Sequence, residues 1–188
     1  MQSTIRVAGR PGDARAIARV HVDSWHATYG HGLLPRQYLD RLTVPDLTTR
    51  WRRRLARPHH QTGVWVAEIA HEVIGFAECG PCVQDRSLLA FAGEVYMLYV
   101  HPDCLGRGIG SALLDRSMAD LASRPFYWIA VWVVEGNRRA RAFYRAHGLR
   151  PDGAHRTDHF TGQRVPVVRY VGPLNPIIDF DRLLEPSA

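Results

Sequence analysis

Apolar and polar positions change period along the chain, and the changes mark its elements. Thr4 to Ala8 alternates as a short strand does. From Asp13, placed as an N-cap, Ile17, Ala18, His21, Val22 and Trp25 keep helical spacing to about Tyr29, and Gly30 to Pro35 breaks it. A second short helix is expected near Gln37 to Leu42. A third runs from Pro45 to Ala56, where Pro45 suits a first turn. The period then falls to two. Val64 to Ala70 and Glu72 to Cys79 read as strands joined by a tight turn near His71, and Gly93 to Val100 as a third. Ile109, Leu113, Ser117 and Leu121 form a helical stripe, followed by a strand over Tyr127 to Glu135. A helix from Asn137 to His147 is stopped by Gly148. Val165 to Val171 is the last strand, paired with His155 to Phe160 across Thr161-Gly162-Gln163. Strands first, then strands alternating with helices, predict a mixed α/β sheet.

With 188 residues and 46% apolar positions, one domain over residues 1–172 is expected. The tail, residues 173–188, carries Ile177, Ile178, Phe180, Leu183 and Leu184, a set suited to packing on the domain or on a second copy in a homodimer. No stretch reaches the roughly 18 apolar residues of a membrane helix. Met1 to Gly12 lacks the apolar core of a secretory signal, so a cytoplasmic, membrane-free protein is expected. All 24 basic residues are arginine, and the net charge is +6. That charge favours a phosphorylated cofactor, nucleic acid or an acidic surface, and does not choose among them.

The choice comes from one segment, Leu98-Tyr99-Val100-His101-Pro102-Asp103-Cys104-Leu105-Gly106-Arg107-Gly108-Ile109-Gly110-Ser111. A strand ends, a glycine-rich turn follows and an amphipathic helix begins. Alternate glycines let backbone amides approach a ligand, and the helix N-terminus favours an anion, so a phosphate belongs there. The dinucleotide spacing G-x-G-x-x-G fails after Gly110. A P-loop is excluded because the chain has no lysine.

The segment resembles motif A of the GNAT acetyltransferase superfamily, Q/R-x-x-G-x-G/A, with Gly108 and Gly110 matching and Leu105 standing where Gln or Arg is usual. A second block, Val131 to Leu149, is similar to the family's strand, Asn-x-x-A-x-x-F-Y helix and following glycine; it contains Asn137, Phe143, Tyr144 and Gly148. Ser24-Trp25 and Gly32-Leu33-Leu34-Pro35 add to the likeness, which covers about residues 4 to 172. The resemblance implies an α/β (α+β) domain: a mostly antiparallel sheet with a central, splayed parallel strand pair, flanked by helices. It implies acetyl-CoA as co-substrate, with no metal. The cofactor would be held by Leu98, Tyr99 and Val100, by Leu105, Gly106, Arg107, Gly108, Ile109, Gly110 and Ser111, and by Asn137. The acceptor would be a small-molecule or peptide amine lined by Trp25 and Tyr29.

The resemblance assigns Tyr144 as the acid that protonates the departing thiolate. Glu94, eleven residues before Leu105, is the candidate base. An alkylamine with a pKa of about 10.4 must lose a proton to react at neutral pH. Glu78, Tyr96 and Asp158 are secondary pocket candidates. Relatives that acetylate ribosomal proteins carry a glutamate where this chain has Trp132, which argues against that branch.

Competing readings rest on less. A non-catalytic acyl-CoA-binding protein could use the same scaffold. Arg50-Trp51-Arg52-Arg53-Arg54 with Arg57 suits an RNA-directed acetyltransferase, although at helical spacing the arginines read as a solvated face. Cys79-Gly80-Pro81-Cys82 spells a thioredoxin-like motif but ends a strand instead of starting a helix. Cys79, Cys82, His101 and Cys104 have zinc-ligand chemistry, yet the last two already belong to the glycine segment.

Overall fold

A computed structural model describes residues 3–57, 62–82 and 91–174. β1 (Thr4–Val7) leads into α1 (Asp13–Tyr29), α2 (Arg36–Asp40) and α3 (Val44–Ala56), then β2 (Gly63–Ile69), β3 (Glu72–Pro81) and β4 (Ala92–Val100). After a 3-10 turn over Pro102–Cys104 come α4 (Ile109–Ala122), β5 (Trp128–Val134), α5 (Arg138–Ala146), β6 (Arg150–Phe160) and β7 (Gln163–Pro173). The seven strands form one sheet in the order β1-β2-β3-β4-β5-β7-β6. Every neighbouring pair is antiparallel except β4–β5. The single domain with a parallel central pair is therefore as expected. The apolar tail residues from Ile177 onward lie outside the described residues.

The parallel pair is short. Ala92, Gly93 and Glu94 face Trp128, Ile129 and Ala130, and there the pairing ends. β4 nevertheless stays on β3 as far as Gly75↔Val100, and β5 stays on β7 as far as Val134↔Val167. The two strands diverge from one point. At that point Glu78 faces Met97 while Cys79 faces Val95, so Tyr96 is the extra residue of a β-bulge. A bulge bends its strand and raises its twist, which turns the rest of β4 away from β5.

Two helical layers enclose the sheet. Alternate side chains of a strand point to opposite faces. Val66 and Phe76 meet Ile17, Ala18 and Val20 of α1 and Trp51 of α3. Their neighbours Ala67 and Ala77, with Val100, meet Ile109 and Leu113 of α4. Each buried Val, Ile, Leu or Phe among them stabilises the fold by about 1.5–3 kcal/mol. Small residues set how close α4 comes. A Cβ on Gly75 would lie 3.1 Å from the Leu113 side chain, and one on Gly93 would lie 2.5 Å from that of Leu121.

Three local features differ from the periodicity. Gly12 (φ 94°), not Asp13, caps α1. The Asp13 carboxylate instead accepts two bonds from Arg6 (2.7 and 2.8 Å) and the amides of Gly9 and Arg10 (2.8 and 2.9 Å). Arg6 also reaches Glu68 (2.5 Å), so β1, α1 and β2 are pinned at one point. Burial alone would raise the Asp13 pKa, but Arg6 and the two amides together hold it below the usual range. β6 begins at Arg150, earlier than the alternation suggests, because Gly153 (φ 84°) sits where the register slips between Pro151 and His155. The β2–β3 turn uses Ala70 (φ 50°) and His71 (φ 68°), left-handed positions that composition does not announce.

His21 sits inside the helix–sheet layer, its ring 5.2 Å from Tyr99, 5.3 Å from Trp25 and 5.7 Å from Phe76. Burial, then the charge of Arg50, pushes its pKa from 6.5 down to about 4. Between those values the unfolded chain binds a proton that the folded chain refuses, so stability falls as the pH drops through that window. Urea unfolding of the wild type and His21→Phe should show the wild type losing ground to the variant by about 3 kcal/mol from pH 7 to pH 4. A difference that stays flat across that range would mean the ring is solvated.

Candidate active site

The glycine segment folds as strand, 3-10 turn, loop and helix. Gly106 and Gly108 both have φ 76°, and a Cβ on either would meet nothing within 4 Å. Backbone conformation, not crowding, is what requires glycine there. Gly108 caps α4, and the first bond of that turn runs from the Ala112 amide to the Gly108 carbonyl (3.0 Å). The amides of Ile109, Gly110 and Ser111 precede it and have no acceptor within the helix. They point out of a helix N-terminus, where an anion is favoured.

That terminus faces a cavity of about 380 Å³ in the gap between β4 and β5. Val95 to Val100 form one wall, including Leu98 and Tyr99, and Trp132 and Val133 form the other. Leu105, Gly106, Gly108, Ile109, Gly110 and Ser111 close one end; Asn137, Phe143 and Tyr144 of α5 and Tyr29 of α1 line the rest. The structure therefore gathers the expected cofactor residues around one space, apart from Arg107, which is exposed and off the lining. Asn137 serves twice: its Oδ1 accepts the Ala140 amide (3.0 Å) as the cap of α5, and it faces the cavity. Tyr144 is buried, and burial followed by the nearby Tyr29 pushes its pKa well up, so the hydroxyl keeps its proton at neutral pH. Burial also raises Tyr29, with Asn137 and Tyr99 drawing it partly back.

Sequence reasoning missed Thr28 and Cys104, which line this space together with Arg139. It also missed a tie between helices. The His147 ring bonds the Phe143 carbonyl through Nδ1 (2.8 Å) and Ser111 Oγ through Nε2 (2.9 Å), joining the end of α5 to the start of α4. No signal in the sequence links residues that far apart. Arg141 donates to the Glu135 carbonyl (3.0 Å) and the Tyr170 hydroxyl (3.2 Å), which ties α5 to the end of β5 and to β7.

Glu94 and Trp25 stand outside this lining. Glu94 is buried on the last paired position of β4. Burial raises its pKa, held back by the Cys82 thiol and then by Arg156 and Arg169, and its Oε2 has no hydrogen-bond partner among the described residues. Trp25 packs edge-on to Tyr29 (5.2 Å) and against Tyr38 (5.8 Å), and lines a second cavity beside the first. Of the secondary candidates, Tyr96 is on the first cavity wall and donates to the Pro81 carbonyl (2.5 Å). Glu78 is fully buried and paired with Arg54; Asp158 pairs with Arg156 (2.9 Å). Burial and the neighbouring Asp120 push the Cys79 thiol up to about 12, the reverse of what a reactive thiolate needs. No group of His, Cys, Asp and Glu able to hold a metal is found among the described residues. No helix among them is long and apolar enough to cross a membrane.

Comparison with known proteins agrees with this geometry. Residues 15–149 match the profile described as the acetyltransferase (GNAT) family. An uncharacterized N-acetyltransferase of Bacillus subtilis, YuaI, is 35% identical over 136 residues, covering 72% of this chain and 73% of its own. Among solved structures, an N-acetyltransferase from Staphylococcus aureus Mu50 superposes with a TM-score of 0.72 at 19% identity, covering 93% of this chain and 100% of that one. The PaiA N-acetyltransferase from Thermoplasma acidophilum in complex with coenzyme A gives 0.67 at 19% identity, covering 90% and 98%. The chain is an acyltransferase and belongs to the GNAT acetyltransferase family.

Proposed function

We propose that this acyltransferase moves an acetyl group from acetyl-CoA to a primary amine, small-molecule or peptide, by direct attack within a ternary complex. One observation carries the reading: a single cavity has free helix-terminal amides at one end and a buried tyrosine, Tyr144, on its wall. The residues fit the co-substrate. Left-handed Gly106 and Gly108 leave the loop open to a pyrophosphate, and the unpaired edge of β4 offers backbone groups to an amide-bearing arm. The Thermoplasma relative's complex with coenzyme A supports the same donor.

Acetyl-CoA, when bound, supplies the activated thioester. The chain supplies placement and protons. Backbone N–H groups of Leu98 to Val100 polarise the thioester carbonyl as the amine nitrogen bonds to its carbon. Tyr144 delivers its proton to the sulfur as the carbon–sulfur bond breaks. Glu94, off the cavity wall, takes the proton of the attacking amine through water; its raised pKa brings it closer to the operating pH of a base. Holding the two reactants together contributes much of the acceleration.

Release of free thiol from acetyl-CoA, followed across a panel of amines, tests these roles. Tyr144→Phe should lower kcat by about 100-fold with acetyl-CoA affinity changed less than about threefold. Unchanged turnover in that variant would remove Tyr144 as the acid. Glu94→Gln should flatten the acid limb of the kcat/KM profile; a limb that survives assigns the base elsewhere. Gly108→Ala forces a left-handed alanine at a cost of about 1–2 kcal/mol and should weaken calorimetric acetyl-CoA binding while the far-UV spectrum is kept. Equal affinity there would separate the loop from the cofactor.

A further inference from the structure

The arginine run of α3 is solvent-exposed, as its spacing indicates, and four of its members border a common hollow. A second cavity of about 690 Å³ lies between α1, α2, α3 and β4, and Arg50, Arg53, Arg54 and Arg57 form one of its walls. These positions are three, four and seven apart from the first, which places them along one side of the helix. Trp25, Tyr38 and Trp51 supply an aromatic floor. Met97 borders both this cavity and the first, so a molecule seated here has its reactive end at the β4–β5 gap. Arg54 is paired with buried Glu78. Arg50, Arg53 and Arg57 have no carboxylate partner among the described residues.

Three guanidinium groups with no carboxylate partner among the described residues, set beside aromatic rings, attract an anion on an apolar or planar body and repel a polycation. The volume is that of a small-molecule site. All five arginines are exposed, but Arg52 is absent from the wall, whereas a nucleic-acid face would use the whole run. We propose that this cavity is the acceptor subsite, and that the acceptor is an amine bearing a carboxylate or phosphoryl group held by Arg50, Arg53 and Arg57. The term acceptor rests on the transferase reading above; the anion site does not.

The test pairs charged amines with uncharged counterparts on the full chain. L-phenylalanine is set against L-phenylalaninamide and O-phosphoethanolamine against ethanolamine, by calorimetry and by thiol release, and the two arms tell carboxylate from phosphoryl. The charged member of at least one pair should bind about tenfold tighter. Arg50→Ala/Arg53→Ala should abolish that preference while acetyl-CoA affinity, the control for folding, is retained. Arg52→Ala should keep the preference. Equal binding within both pairs, no binding of any of the four, or a preference that survives the double variant overturns the subsite. So does RNA-oligonucleotide binding lost in the double variant without any small-anion preference. Charge-selective binding without acetylation keeps the anion site and overturns its role as acceptor subsite, whereas equal acetylation of charged and uncharged amines overturns the anion site and keeps the amine-acetylating reading.

Discussion

Separation of β4 from β5 is the constraint around which the rest of the structure is arranged. Two neighbouring strands that stop pairing expose backbone amides and carbonyls inside the molecule, and buried groups of that kind need partners. Here the break follows directly from the Tyr96 bulge, and each strand keeps its outer neighbour, so the sheet parts without fraying. The gap is thus a fixed opening lined by backbone. The glycine loop leaves the end of β4 and Asn137 follows β5, so both arrive at the opening by chain connectivity alone.

The charges are arranged around the same division. On the β1 side, Arg6 and Arg10 balance Asp13 and Glu68, and the cluster pins an edge strand. On the far side Arg169 pairs with Asp152 (2.6 Å) and Arg156 with Asp158, and both guanidinium groups lie over the Trp132 ring. Glu78 and Glu94 lie between them on β3 and β4, each with one carboxylate oxygen lacking a hydrogen-bond partner among the described residues. Ionised, two such carboxylates are costly at the centre of a sheet. Arg54 offsets that cost for Glu78, and Glu94 is the base proposed above.

What could be read beforehand divides by locality. The glycine loop, the Asn137 cap and the Gly148 stop are written in consecutive residues whose backbone needs are fixed by their own chemistry. The helical stripe at Ile109, Leu113, Ser117 and Leu121 is likewise local, and its faces followed. The bulge at Tyr96 is a matter of register between two strands, and nothing in Gly93 to Val100 taken alone announces it. The α3 arginines are exposed, as helical spacing indicates, but the cavity that four of them border is made by α1, α2 and β4 and has no local signature. Asp13 looked like a cap because its real partner, Arg6, stands on the preceding strand. Glu94 was placed by spacing at the right strand, but its depth below the cavity wall is a property of the sheet.

The absence of lysine takes on meaning beside the second cavity. A thioester held in a protein is a hazard to any nearby unprotonated amine, and a lysine on a wall beside it is a competing nucleophile in the same vessel. A guanidinium stays protonated throughout the range in which enzymes work, so it attracts an anion without attacking a carbonyl. On the readings proposed above, the cationic wall of α3 is in this sense chemically silent: it would supply charge next to an acyl donor with no amine to be acylated.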